Sequence, residues 1–191
     1  MKYRRNVVLI IILMFFIIQL AALDKAHDFK LENMKGKQVK LSDYLEKGLV
    51  ILDFWATWCA PCKKELPELS KLQEKYKDKI TVLAVSVDKP RSKDKAKAHV
   101  KSQKMKFVTL FDSKKDVQKL YNITNIPRTL IIAPDSTILY DHTGYQRGDE
   151  QHLEKIIEKW IKESTESSEP DSIQIKEEEN QENEPQDELN E

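Results

Sequence analysis

The chain has 191 residues, and its 32 Lys and Arg against 32 Asp and Glu give a formal net charge of zero. That balance averages three unlike segments. Glu163–Glu191 holds twelve acids against the single base Lys176, the middle from Asp24 to Lys162 is net +8, and Lys2, Arg4 and Arg5 supply the rest. Two cysteines exclude a disulfide scaffold and a four-cysteine zinc site, and four glycines leave no Gly-rich phosphate loop.

Met1–Leu23 begins with basic residues and continues as an apolar run from Val7 to Leu23, broken only by Gln19. This is the layout of a secretory signal peptide. An uncleaved N-terminal anchor is the alternative, because a span needs about 17–25 apolar residues. Leu20 is a poor residue for the −3 position of a cleavage after Ala22, which favours the anchor. On either reading the basic residues stay inside and the domain is exported, to the periplasm or cell envelope.

From Asp24 to Lys162, about 140 residues can bury a core without staples, and their periodicity alternates strands with helices. Phe29–Leu31 and Val39–Leu41 flank Gly36 as a hairpin. Leu49–Trp55 is an apolar run containing only Asp53, the pattern of a buried central strand. Cys59–Lys77 is predicted to be a helix with Leu66, Leu69, Leu72 and Tyr76 on one stripe. A buried strand at Ile80–Val87 follows, then a Lys-rich helix at Ser92–Lys104, a strand at Phe107–Phe111 and a helix at Lys114–Tyr121. Thr129–Ala133 and Thr137–Asp141 form a second hairpin, and Asp149–Lys162 a closing amphipathic helix. The order implies an α/β fold, a mixed central sheet with helices on both faces. Glu163–Glu191 has too little apolar surface to offset its ordering entropy and is expected to be a disordered acidic tail.

The chemistry lies in Trp58-Cys59-Ala60-Pro61-Cys62, directly after the central strand and opening a helix. There the Cys59 thiol meets free backbone N–H groups and the positive end of the helix dipole, which favour its thiolate. Cys62, one turn further in, is placed to close a ring with it, and Pro61 stiffens the turn where a helix tolerates proline. A zinc half-site needs two more ligands, and His27, His99, His142 and His152 show no metal spacing. An inert disulfide closing so small a loop would constrain the unfolded chain little. Thiol–disulfide exchange is the reading that remains, with no cofactor or metal.

This motif, with Asp53-Phe54-Trp55-Ala56 before it and Lys63-Lys64-Glu65-Leu66-Pro67 after it, resembles the thioredoxin superfamily, and within it the TlpA/ResA-like branch of membrane-tethered thiol–disulfide oxidoreductases. The resemblance covers about Asp28 to Trp160 and implies a thioredoxin-like fold. It implies further that Ile126–Pro127 is cis and faces the cysteines, that the Ile126 backbone pairs with an incoming polypeptide, and that Trp58 and Pro61 border the substrate. Asp53 matches the family's buried acid and is expected to have a raised pKa and to take the Cys62 proton. Glu65 matches an acid that the branch places beside its cysteines. Ala84 stands where thioredoxins carry a lysine paired with the buried acid, and Arg128 where a threonine follows the cis-proline. The implied partners are a disulfide-containing protein, by resemblance an apocytochrome c, and a membrane electron donor. Rival readings are a disulfide-donating oxidase, a non-catalytic holdase, and a peroxiredoxin-like peroxidase, which requires threonine at the position of Ala56. Export and the lack of aromatic residues among the lysines disfavour nucleic acid.

Overall fold

The structure, a computed structural model, describes residues 24–166. The expected leader, Met1–Leu23, and all but the first four residues of the acidic tail lie outside the described residues. Of those described, residues 24–155 fall in one compact unit and residues 156–166 in a second.

The first unit is built on seven strands: β1 (Lys30–Asn33), β2 (Gln38–Lys40), β3 (Leu49–Trp55), β4 (Ile80–Ser86), β5 (Val108–Phe111), β6 (Arg128–Ile132) and β7 (Ile138–Thr143). They lie in the order β2-β1-β5-β4-β3-β6-β7. The centre, β3-β4-β5, is parallel, while both flanks are antiparallel. The sheet is therefore mixed, as the element order implied. Helices α1 (Ser42–Leu45), α2 (Ala60–Lys75), α3 (Lys93–Ser102) and α4 (Asp116–Leu120) connect the strands, and α5 begins at Asp149.

Every residue of β3 is buried, which is why its sequence is an apolar run rather than an alternation. Phe54 meets Tyr121 on one face of the sheet, the side of α4, while His99 of α3 packs on Trp55 on the other. Asp53 points to the opposite face, where α2 packs. Gln73 of α2 holds β4 by a carbonyl that accepts from Val82 N–H (2.7 Å) and an amide that donates to the Ile80 carbonyl (3.2 Å). Asp112 caps α4, accepting from Asp116 and Gln118 N–H at 2.9 and 2.7 Å.

The expected hairpins form, with boundaries shifted by one or two residues. The helix expected at Lys114–Tyr121 is only five residues, because Lys115 takes a left-handed conformation just before it. Helix α1 was not foreseen, since four residues carry no readable period. Helix α5 runs to Glu166, four residues past the expected end. In the second unit Lys159–Glu163 and Lys162–Glu166 are pairs at spacing i,i+4 (3.8 and 3.9 Å), of the kind that favours helix. Among the described residues no helix is long and apolar enough to cross a membrane.

Gly48 enters β3 with φ +139°, and a Cβ there would run into the Lys79 carbonyl. That carbonyl accepts from Leu49 N–H, so it is not free to move. Gly48→Ala is expected to lower stability by about 1–3 kcal/mol, read as a lower urea midpoint with an unchanged m-value.

Candidate active site

The end of β3 sets the position of the cysteines. Beyond Trp55 the chain turns, Cys59 N–H donating to the Ala56 carbonyl (3.1 Å), and α2 starts at Ala60. Cys59 is the N-cap of α2: its backbone is extended, and its Sγ accepts from Cys62 N–H (3.2 Å). The sulfur thus occupies the place where a serine or aspartate oxygen ordinarily caps a helix. Cys59 and Cys62 are joined in a disulfide with Cα atoms 5.4 Å apart. Cys59 retains 5% exposure while Cys62 has none, and the neighbouring Trp58 is 68% exposed. Cys59 thus keeps a small exposure at the helix start, and Cys62 has none.

The turn is held from below by a residue that sequence reasoning missed. Asp88, buried just past β4, accepts from Thr57 N–H (2.9 Å), from the Thr57 hydroxyl (2.8 Å) and from the Ser86 hydroxyl (3.0 Å). In sequence Asp88 looks like a strand-end acid facing solvent, and only the parallel pairing of β3 with β4 brings it beneath Thr57.

Asp53 and Glu65 both lie inside. Asp53 is fully buried and pairs in register with Ala84 on β4 and Thr129 on β6. Ala84 therefore stands beside Asp53, and no cation reaches the carboxyl from that strand. Glu65, one turn after Cys62 on the buried face of α2, is 4% exposed. The Thr129 hydroxyl joins the two acids, donating to Glu65 Oε1 at 2.7 Å with Asp53 Oδ1 at 3.5 Å. The other oxygens, Asp53 Oδ2 and Glu65 Oε2, have no partner among the described residues. Burial and then the nearby Glu65 charge push the Asp53 pKa well up, against the weak Thr129 contact. Burial and then the Asp149 charge raise Glu65 to about 7, the Thr129 hydrogen bond opposing them. The expected raised pKa of Asp53 is thus present. A solvated helix glutamate at position 65 is not what the structure shows.

Ile126–Pro127 is cis. Because Phe54 pairs with Arg128, Pro127 sits at the C-terminal end of β3, from which the chain leads to Cys59. Arg128 is held by Asp141 in a two-pronged pair, Nε to Oδ1 at 2.7 Å and Nη2 to Oδ2 at 2.6 Å. Pro61 is in the first turn of α2, and α2 continues through Pro67. Ala56, where a peroxidase needs a threonine hydroxyl, offers only its carbonyl. No group of three or more His, Cys, Asp or Glu side chains suited to a metal ion occurs among the described residues.

A sheet of this topology with a capping Cys-x-x-Cys at the end of its central strand is a thioredoxin-like thiol–disulfide oxidoreductase. Residues 22–141 match the AhpC/TSA family, and the chain belongs to that family. It is 33% identical over 134 residues to the thiol-disulfide oxidoreductase ResA of Bacillus thuringiensis subsp. konkukian, covering 69% of this chain and 76% of that protein. The thioredoxin-like protein YneN of Bacillus subtilis is 36% identical over 121 residues, 63% of this chain and 70% of the other. Among solved structures, one from Chlorobium tepidum assigned as the thiol:disulfide interchange protein DsbE superposes with a TM-score of 0.66 at 34% identity, over 71% of this chain and 94% of that one. A thiol:disulfide interchange protein from Bacteroides sp. gives 0.63 at 30% identity, over 78% and 95%.

Two outcomes follow from these environments. Asp88→Ala leaves the buried Thr57 N–H and hydroxyl without acceptors and is expected to cost about 1–3 kcal/mol, with faster hydrogen exchange at Thr57 as the specific readout. Glu65 ionises at about 7 in the folded chain against an ordinary 4.5. Between those values the unfolded chain gives up the proton first, so stability falls as pH rises through the window and levels off above it. The loss is on the order of 1–3 kcal/mol. Glu65→Gln is expected to flatten that slope in urea titrations from pH 5 to pH 8.

Proposed function

We propose that the protein reduces disulfides of exported proteins, with Cys59 as the attacking thiol, Cys62 as the resolving thiol and an apocytochrome c with an oxidised haem-attachment pair as the substrate. The observation that carries the direction is the buried acid pair one turn beyond Cys62. A carboxylate there repels a thiolate at the cysteines, so the dithiol is less stabilised relative to the disulfide than it would be beside cations. An oxidant of folding proteins is strong because its reduced form is stabilised, and this environment does the opposite.

In the cycle, the Cys59 thiolate at the helix N-terminus attacks a substrate sulfur and forms a mixed disulfide, and the first substrate sulfur leaves as a thiolate. Cys62 then loses its proton to the Asp53–Glu65 pair, the base role that the sequence assigns to Asp53. Its thiolate attacks Cys59, and the second substrate sulfur departs. The Cys59–Cys62 disulfide is returned to the dithiol by a membrane electron donor. Trp58, Pro61 and the Ile126–Pro127 segment form the surface on which the polypeptide lies. The Ile126 N–H and carbonyl make no backbone hydrogen bond among the described residues, which leaves both open to an extended chain. The Arg128–Asp141 pair beside them adds a charged border that thioredoxins, with threonine there, lack.

The basic start and apolar run of Met1–Leu23 support an extracytoplasmic domain that stays tethered to the membrane. The resemblance to the ResA-like branch supports the choice of substrate.

The deciding measurement is the equilibrium reduction potential of the Cys59/Cys62 pair in thiol buffers. A value near about −270 mV is expected, and one towards about −120 mV would make the protein a disulfide donor instead. Cys62→Ser is expected to accumulate the mixed disulfide between Cys59 and an apocytochrome peptide, and Cys59→Ser to abolish turnover. Turnover that survives Cys59→Ser would remove the dithiol cycle altogether.

A further inference from the structure

Thr129 links the buried acids to the surface as well as to each other. On the sheet, Ala84, Asp53, Thr129 and His142 are register partners on four adjacent strands, so their side chains lie in one row on one face. Glu65 reaches that row from α2, through the Thr129 hydroxyl. His142, at the outer end, is half exposed, and its Nε2 lies 3.9 Å from Asp149 Oδ2 at the start of α5. Asp149 is also close enough to Glu65 to act on its charge. The groups that act on Glu65 or feel its charge are Asp53 from β3, Thr129 from β6, Tyr140 from β7, Tyr145 from the following loop and Asp149 from α5, and His142 lies at the row's end beside Asp149. His142 is the one imidazole in the row.

The hydroxyl also has a direction. Thr129 has one proton to donate and lies 2.7 Å from Glu65 Oε1 and 3.5 Å from Asp53 Oδ1, so while it donates to Glu65 its oxygen is free to accept from Asp53 whenever Asp53 carries a proton. In the state with the proton on Asp53 and Glu65 ionised, the three groups form a chain of donors pointing towards Glu65. One concerted shift along it moves a proton from the buried acid to the one nearer the surface.

We propose that the proton released by Cys62 leaves the protein along this row, from Asp53 through Thr129 to Glu65 and out at the His142–Asp149 couple. The inference rests on the dithiol reading of the site. When the Cys62 S–H becomes the thiolate that attacks Cys59, its proton enters the acid pair and an equal proton leaves from His142 to water. The departing substrate thiolate takes a proton from solvent, so the step balances. In recharging, the flow reverses. His142 and Asp149 are positioning residues for this transfer and touch neither cysteine nor substrate.

The test uses the protein's own disulfide closure, followed by tryptophan fluorescence after the reduced chain is mixed with a small disulfide in weak buffer, across pH 5 to 8. The double variant His142→Gln/Asp149→Asn is expected to close about tenfold more slowly than wild type, less than the roughly 10²–10⁴-fold that a side chain in direct contact with the reacting group contributes. Added imidazole is expected to restore the rate while leaving wild type unchanged. Thr129→Val is expected to show the same slowing, and Thr129→Ser, which keeps the hydroxyl, to close normally. Wild-type rates in the double variant would overturn the proposal. So would slowing that imidazole does not relieve, since that marks a structural effect. If wild type closes normally yet reduces no protein disulfide, the proposed physiological role fails and the proton path does not.

Discussion

Two carboxyl groups share one threonine hydroxyl inside this protein, and most of the site's behaviour depends on that arrangement. Thr129 has a single proton to donate, and it goes to Glu65 at 2.7 Å. Asp53 is fully buried with alanine rather than a cation opposite it on β4, and burial and the nearby Glu65 charge push its pKa well up. Leaving a buried carboxyl oxygen unpaired costs on the order of 1–3 kcal/mol, and here two are left so. The protein carries that cost in the same region as its cysteine pair, where a group that accepts and returns a proton near neutral pH is useful.

The sheet makes the arrangement possible. Because β3 is wholly buried and flanked by one parallel and one antiparallel neighbour, its C-terminal end receives residues from two directions. The parallel neighbour delivers Asp88, which grips Thr57 and so fixes the turn into α2. The antiparallel neighbour delivers the cis Ile126–Pro127 bond and, two residues later, Thr129. Helix α2 then carries Cys62 and Glu65 inward together, because a spacing of three keeps both on one face. The AhpC/TSA membership, the sequence likeness to ResA and the structural likeness to a protein assigned as DsbE agree with this construction.

Much of the fold was legible because its strands are unambiguous. Leu49–Trp55 and Ile80–Ser86 are too short and too apolar to be anything but buried strands, and the leucine stripe of α2 carries a helical period. What escaped was short or set by contacts. Helix α1 has no period to read. Helix α4 is cut short by the left-handed backbone at Lys115, and α5 is extended past Lys162 by lysine–glutamate pairs that read as the start of a tail.

The sequence by itself determined the chemistry. Cys59 and Cys62 at the start of a helix after a buried strand specify a dithiol, because the helix terminus and the i,i+3 spacing are local properties of the chain. Asp53 was recognisable for the same reason, as the one charged residue in an apolar run. Only the tertiary structure decided which groups those residues meet. Thr129, Asp88, His142 and Asp149 lie 76, 31, 89 and 96 residues from Asp53, Thr57, Asp53 and Asp53 respectively in chain order. Sequence patterning can show that a strand is buried, but strand register is a long-range choice, and a shift of one residue would turn Thr129 to the other face and separate the two acids.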